Sequence, residues 1–240
     1  MAAHAALMWD EGKAEEIDMA ETSATTTGKT GPGGILDFGA LRAAQLRTEP
    51  YKYFVAPGTL SEAEAAEIRK DYPEINKPGY LPLSKLEAHG TFDQLMADLN
   101  SPELAQVMTE KFGVDFTDKP RMITVRKISQ LSDGPIHNDS KSKILTMLTY
   151  LNAEWDGTGA GCIRVLNGPK DFEDFTEEVP PLAGYVFAFL RSDESWHGHL
   201  PFEGERYVVQ TTFLTSQEEL DRKENRGGLQ YFLKKLNPFQ

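Results

Sequence analysis

The chain has one cysteine, Cys162. That excludes an intramolecular disulfide framework and fits a reducing compartment. No uninterrupted apolar run is long enough to span a bilayer. The first residues, MAAHAALMWDEGKAEEID, lack a basic start followed by a continuous apolar core, so no signal peptide is expected and cytoplasm is the expected compartment. Positive charge is scarce: 25 Lys and Arg stand against 37 Asp and Glu, for a formal net charge of −12. Such a balance argues against nonspecific binding to nucleic acid or to an anionic membrane, while a locally basic cleft stays compatible with it. Histidine is scarce as well. Of the five in 240 residues, three fall in two short segments, GPIHNDSKSK and SWHGHLPFEGER.

The length suits one sizeable domain. Residues 1–34 carry short Ala-rich and acidic patches and then ETSATTTGKTGPGG, which has little to bury, and they read as a disordered or weakly ordered tail. Residues 35–240 read as a single domain, with helical support over 35–119, a β-rich core over 120–215 and C-terminal helices over 216–240. In the helical part, Asp37 is placed to cap a helix ending before Pro50. Ser61 and Glu64 have capping-box spacing ahead of a helix running toward Pro73. Thr91 opens another candidate helix. Ser101-Pro102 starts a third, with Pro at its first position and Gly113 as its stop.

After Pro120 the pattern changes to RMITVRKIS, KILTMLTYLN, CIRVLN, GYVFAFL and RYVVQTTFLT, β-branched and aromatic runs separated by turn residues. In the last of these, Tyr207, Val209 and Phe213 share one face, and Arg206, Gln210 and Thr212 share the other. Several such strands in succession predict an α+β domain built on a double-sheet jelly roll of the cupin type. The loop NGPKDFEDFTEEVP is expected to border the mouth and, being acidic, to favour a neutral or cationic substrate. The end, SQEELDRKENRGGLQYFLKKL, reads as a capped helix, a Gly break and a short helix.

His137 and Asp139 are two residues apart, so on an extended segment their side chains point the same way, just ahead of the strand KILTMLTYLN. His197 lies at the far end of the β region, nine residues before Arg206. Two neutral imidazoles and one carboxylate form the facial triad that suits non-haem Fe(II), with positions left open for other ligands. Arg206 offers a permanently charged planar fork suited to a carboxylate. His199 competes with His197, as a ligand, a hydrogen-bond donor behind it or a substrate contact; the spacing to Arg206 favours His197.

Taken in order, HND, TMLTYLN, GAGCIRVL, PPLAGYVFAFLRSD, SWHGH and GER over residues 121–215 resemble the Fe(II)/2-oxoglutarate-dependent dioxygenase superfamily, in its prolyl-4-hydroxylase-like branch. The resemblance implies a double-stranded β-helix core with N-terminal supporting helices. It also implies Fe(II) on His137, Asp139 and His197, with 2-oxoglutarate held by Arg206. Tyr150 falls where such enzymes place a cosubstrate-contacting tyrosine, though it also suits strand core. Arg164 is a candidate for the substrate mouth or for a surface salt bridge, and Thr124 and Arg126 are candidates for the pocket wall. Trp196 suits packing. With Asp139 present, hydroxylation rather than halogenation is expected, releasing succinate and CO2, with O2 as cosubstrate and ascorbate as a compatible reductant. The substrate, a peptidyl residue or a small molecule, is not identified. The alternatives are a cupin-type metal protein with another activity and a sensor of 2-oxoglutarate or oxygen.

Overall fold

The computed structural model describes residues 34–236, with side chains through Arg226, so the tail expected over 1–34 lies, but for Gly34, outside the described residues. Helix α1 (Phe38–Ala43) begins where the Asp37 carboxylate accepts a hydrogen bond from Ala40 N. It stops well short of Pro50 because Arg47 exchanges backbone hydrogen bonds of 2.8 and 3.0 Å with Tyr53, which opens strand β1 (Tyr53–Ala56). Helix α2 (Glu62–Lys70) has the full capping box between Ser61 and Glu64. After the two-residue strand β2 (Leu81–Pro82) comes α3 (Gly90–Asn100). Thr91 does not cap α3 with its own side chain. Its amide instead donates to the Asp71 carboxylate, 2.6 Å away, so the acceptor comes from the end of α2. Gly90 is needed there: at φ +56° an added Cβ would lie 2.2 Å from Asp71 Oδ2. Helix α4 (Pro102–Phe112) runs from the Ser101 cap to Gly113, which has φ +70°.

The remaining strands are β3 (Arg121–Ser129), β4 (Lys143–Tyr150), β5 (Ile163–Leu166), β6 (Phe175–Val179), β7 (Val186–Leu190), β8 (His197–Gly198) and β9 (Gly204–Leu214). Six strands form one sheet in the order β1-β7-β4-β9-β3-β2, and three form a second in the order β6-β5-β8. Side-chain alternation gives the large sheet two faces. Leu145, Met147, Val209 and Phe213 share a buried cluster with Leu95, Leu104, Met108 and Phe112 of the helices. On the other face, Leu148, Tyr150, Phe187, Phe189 and Val208 pack against Ile163, Val165 and Val179 of the small sheet. Two antiparallel sheets thus enclose a chamber, with helices closing one outer side: a double-stranded β-helix core on an α+β scaffold.

Two expectations change. The acidic stretch read as a loop contains β6, an outer strand of the small sheet whose first residues are exposed, so its apolar signal is weak. The chain end is one helix, α5 (Gln217–Leu236), with no break at Gly227–Gly228. Two glycines cost a helix about 1 kcal/mol each, and good helix formers flank them.

Where the described residues begin, one carboxylate ties them to the helical layer. Asp98 Oδ2 accepts from Ile35 N at 2.7 Å and from Leu36 N at 2.8 Å, all three residues being buried. Asp98→Ala leaves two buried N–H groups without a partner and is expected to lower stability by about 1–3 kcal/mol, read as a lower urea midpoint at unchanged slope. A midpoint equal to that of the parent protein would show that this contact holds nothing.

Candidate active site

His137 and His197 come together through the backbone. Each amide donates to the other's carbonyl, at 3.0 and 2.9 Å, so the two residues sit directly opposite each other in an antiparallel bridge. Their ring centroids are 4.4 Å apart. This bridge adds the HxD segment to the small sheet beside β8. Asp139, two residues on, points into the same space. One ligand atom from each of His137, Asp139 and His197 lies within 4.8 Å of the others.

The ring nitrogens are oriented. Nδ1 of His137 lies 2.8 Å from the Pro135 carbonyl and Nδ1 of His197 lies 2.9 Å from the Ser195 carbonyl. Carbonyls only accept, so each Nδ1 carries a proton, and Nε2 is the nitrogen whose lone pair a neutral ring would offer to a metal. Burial pushes His197 down to about 4, against the pull of Asp139 and with help from His137, so it is neutral at pH 7. Phe189 packs its ring 4.5 Å from that of His197.

Asp139 is buried, and burial alone would raise its pKa. The Lys143 ammonium and His197 overcome this, with hydrogen bonds from Lys143 and Thr146, and bring it down to about 2. Lys143 Nζ is 2.6 Å from Oδ1 and Thr146 Oγ1 is 2.6 Å from Oδ2. Arg191 Nε donates to the Asp139 carbonyl at 3.0 Å. The result is an ionised carboxylate held by Lys143 and Thr146, with its backbone held by Arg191, beside two imidazoles whose Nδ1 atoms are tied to carbonyls. Such a donor set suits a divalent first-row metal, Fe(II) among them.

Deeper in the chamber, Arg206 is 1% exposed. Its Nε donates to the Gly161 carbonyl at 2.8 Å and its Nη2 lies 3.5 Å from Tyr150 Oη. No carboxylate of the described residues pairs with it. Burial raises the Tyr150 pKa despite the nearby guanidinium, so the phenol keeps its proton. Gly161 has φ +73° and an added Cβ there would lie 2.6 Å from Trp155, so the turn presenting that carbonyl depends on glycine.

The other candidates spread out. His199 is buried but stands outside the triad: its Nδ1 donates to the Leu200 carbonyl at 2.8 Å. Its ring packs on Gly134, where an added Cβ would come within 2.4 Å. Arg164 forms ion pairs with Glu173 at 2.7 Å and Glu178 at 2.6 Å, and stacks on Phe175. Arg126 pairs with Asp133 at 3.2 Å and lies over the Tyr80 ring, while Thr124 lines a cavity that Lys143 also lines. The Trp196 carbonyl accepts from Tyr51 Oη at 3.1 Å. Sequence reasoning missed Lys143 and Thr146. The available signal was their place at the start of the strand after HxD, with Thr146 on the inward face.

Residues 126–214 match the sequence model of the 2OG-Fe(II) oxygenase superfamily. No curated protein matches. Among solved structures, the chain is similar to a prolyl-4-hydroxylase from Pseudomonas putida, at 19% identity and TM-score 0.49, over 68% of this chain and 88% of that one. It is also similar to the viral collagen prolyl hydroxylase of Paramecium Bursaria Chlorella virus-1 in its 2OG complex, at 17% identity and TM-score 0.48, over 69% and 96%. A third is a prolyl hydroxylase from Trichoplax adhaerens in complex with a hypoxia inducible factor oxygen degradation domain peptide fragment, at 13% identity and TM-score 0.47, over 69% and 87%.

The carboxylate geometry makes a specific prediction. Thr146→Val keeps the shape of the side chain but removes the hydrogen bond to Asp139 Oδ2. Mn(II) affinity, measured by equilibrium dialysis, should fall about 10–100-fold, the usual effect of losing a group that orients a ligand. Equal affinity would mean that Asp139 needs no support from Thr146.

Proposed function

We propose that the chain is an enzyme of the 2OG-Fe(II) oxygenase superfamily, whose sequence model matches residues 126–214, and that it hydroxylates a C–H bond of an organic substrate. The reaction consumes 2-oxoglutarate and O2 and releases succinate and CO2. Iron at this site supplies the coupling of 2-oxoglutarate decarboxylation to oxygen transfer, one oxygen atom going to succinate and the other to the substrate.

The proposed ligands are His137, Asp139 and His197. Two neutral imidazoles and one ionised carboxylate leave a divalent ion with a net positive charge, which suits an anionic chelating cosubstrate. The single observation that carries the cosubstrate assignment is Arg206, a permanently charged group buried to 1% exposure with no anionic partner among the described residues. A buried charge is costly unless it is paired. A carboxylate reaching it from the triad side would be gripped by the planar fork and would also receive a hydrogen bond from Tyr150 Oη. Leu148, Phe187 and Phe189 pack in one buried cluster with Tyr150, and such apolar surroundings strengthen those contacts. His137 is the exposed member of the triad, so the site opens on its side.

The test needs no substrate. Under anaerobic conditions the protein is loaded with Fe(II), and 2-oxoglutarate is added while the visible charge-transfer absorption is followed. Arg206→Ala should weaken 2-oxoglutarate binding by roughly 30-fold or more, since removing one member of a buried charge pair costs about 2–5 kcal/mol. His199→Ala should keep the absorption. Succinate formation in air, with ascorbate present, should follow the same order. A protein that binds the metal but takes up no 2-oxoglutarate would leave a metal-binding jelly roll without this chemistry.

A further inference from the structure

Beside the triad lies a cavity of about 230 Å³ whose wall includes Thr124, Lys143, Gln210, Thr212, Lys223 and Arg226, and no carboxylate. In a chain of net charge −12 this is a local reversal of sign. Lys143 belongs to both places, lining the cavity while its ammonium pairs with Asp139 at 2.6 Å. Lys223 comes from α5 and donates to Ser140 Oγ at 3.2 Å, one residue beyond Asp139. Arg226, further along α5, has no ion pair among the described residues.

The charges around Lys223 do not cancel. Glu219 pairs with Arg222, and Asp139 pairs with Lys143. Burial, and then Lys143 and Arg222, hold the Lys223 ammonium below its ordinary range, only partly offset by Glu219 and Asp139. On the opposite wall, Thr124 Oγ1 is buried and has no hydrogen-bond partner. An anion between these groups would relieve the repulsion and satisfy the hydroxyl.

The cavity is not the cosubstrate's position. Thr212 and Arg206 lie on the same face of β9, six residues apart, which is about 20 Å at 3.3–3.4 Å per residue. Thr146, which holds Asp139, is paired across the sheet with Thr212. Asp139 is thus held from the cavity end of the two strands, and the Arg206 side chain leaves β9 at the other end.

We infer that this cavity is the substrate pocket and that it takes a small molecule bearing a terminal anionic group, a carboxylate or a phosphate. Lys223 and Arg226 supply the counter-charge and Thr124 a hydrogen bond. The inference rests on the oxygenase reading above, which puts the reacting bond at the triad. It reverses the expectation drawn from the acidic stretch 167–180. There Glu173 and Glu178 are engaged by Arg164, and Glu177 accepts from Tyr53 Oη at 2.8 Å.

The probe is inorganic phosphate, titrated calorimetrically into protein loaded with Mn(II) and 2-oxoglutarate in a low-salt, phosphate-free buffer. Saturable one-site binding is expected. The double variant Lys223→Ala/Arg226→Ala should weaken it by about tenfold or more, as loss of two nearby charges implies, and should leave 2-oxoglutarate affinity within about twofold. Thr124→Val should weaken phosphate alone. Arg206→Ala should do the reverse, losing 2-oxoglutarate and retaining phosphate. Phosphate that binds the parent and the double variant equally is ligating the metal and overturns the pocket assignment. Phosphate that competes with 2-oxoglutarate overturns it too. Failure of the parent protein to take up 2-oxoglutarate overturns the oxygenase reading beneath it, an outcome read independently of the phosphate arm.

Discussion

The chamber-facing side chains of the large sheet depend on the alternation of β4, from Leu145 onward, and of β9 at its centre. One set of positions (Leu145, Met147, Val209, Phe213) is committed to the helical layer. The intervening set (Thr146, Tyr150, Arg206, Gln210, Thr212) is thereby turned toward the small sheet. A shift of one residue in register would exchange the two sets, placing an arginine against the helices and phenylalanine in the chamber. The apolar packing on one side is therefore what enforces the polar order on the other.

Within the chamber, charge is arranged in two separate places. Asp139 is ionised and held among Lys143, Thr146 and the two imidazoles, so its charge is locally compensated. Arg206 is deep and positive, with no anionic partner among the described residues. A group at Arg206 and a group at the triad are linked most simply by one molecule with a carboxylate at one end and chelating oxygens at the other, which is the shape of 2-oxoglutarate. The backbone bridge between His137 and His197 fixes one wall of this arrangement without relying on side-chain contacts, and carbonyl acceptors behind each ring settle which nitrogen faces inward.

The helical layer shows a similar division between local and distant causes. Ser61 with Glu64 and Ser101 with Pro102 start their helices from adjacent residues, and both are legible in the chain. The start of α3 is not, because its acceptor is Asp71, twenty residues earlier. Strand β6 escaped notice for a related reason: as an outer strand of the small sheet it begins with exposed, polar residues, and backbone pairing with β5 alone makes it a strand.

By itself, the sequence determined what local periodicity and spacing can carry. That includes the alternation in RYVVQTTFLT, the two-residue step that sets His137 and Asp139 on one side, and the reach from His197 to Arg206. Tertiary structure decided matters that turn on residues far apart in the chain. The bridge register selects His197 over His199, two positions away on the same segment. Arg164 forms ion pairs with Glu178 on β6 and with Glu173 just ahead of that strand. Lys223, eighty-three residues beyond Ser140, arrives beside the triad only because α5 folds back across β2, β3 and β9. Local rules describe which way a side chain points relative to its neighbours in sequence. The charge that it meets there is set by the chain's return.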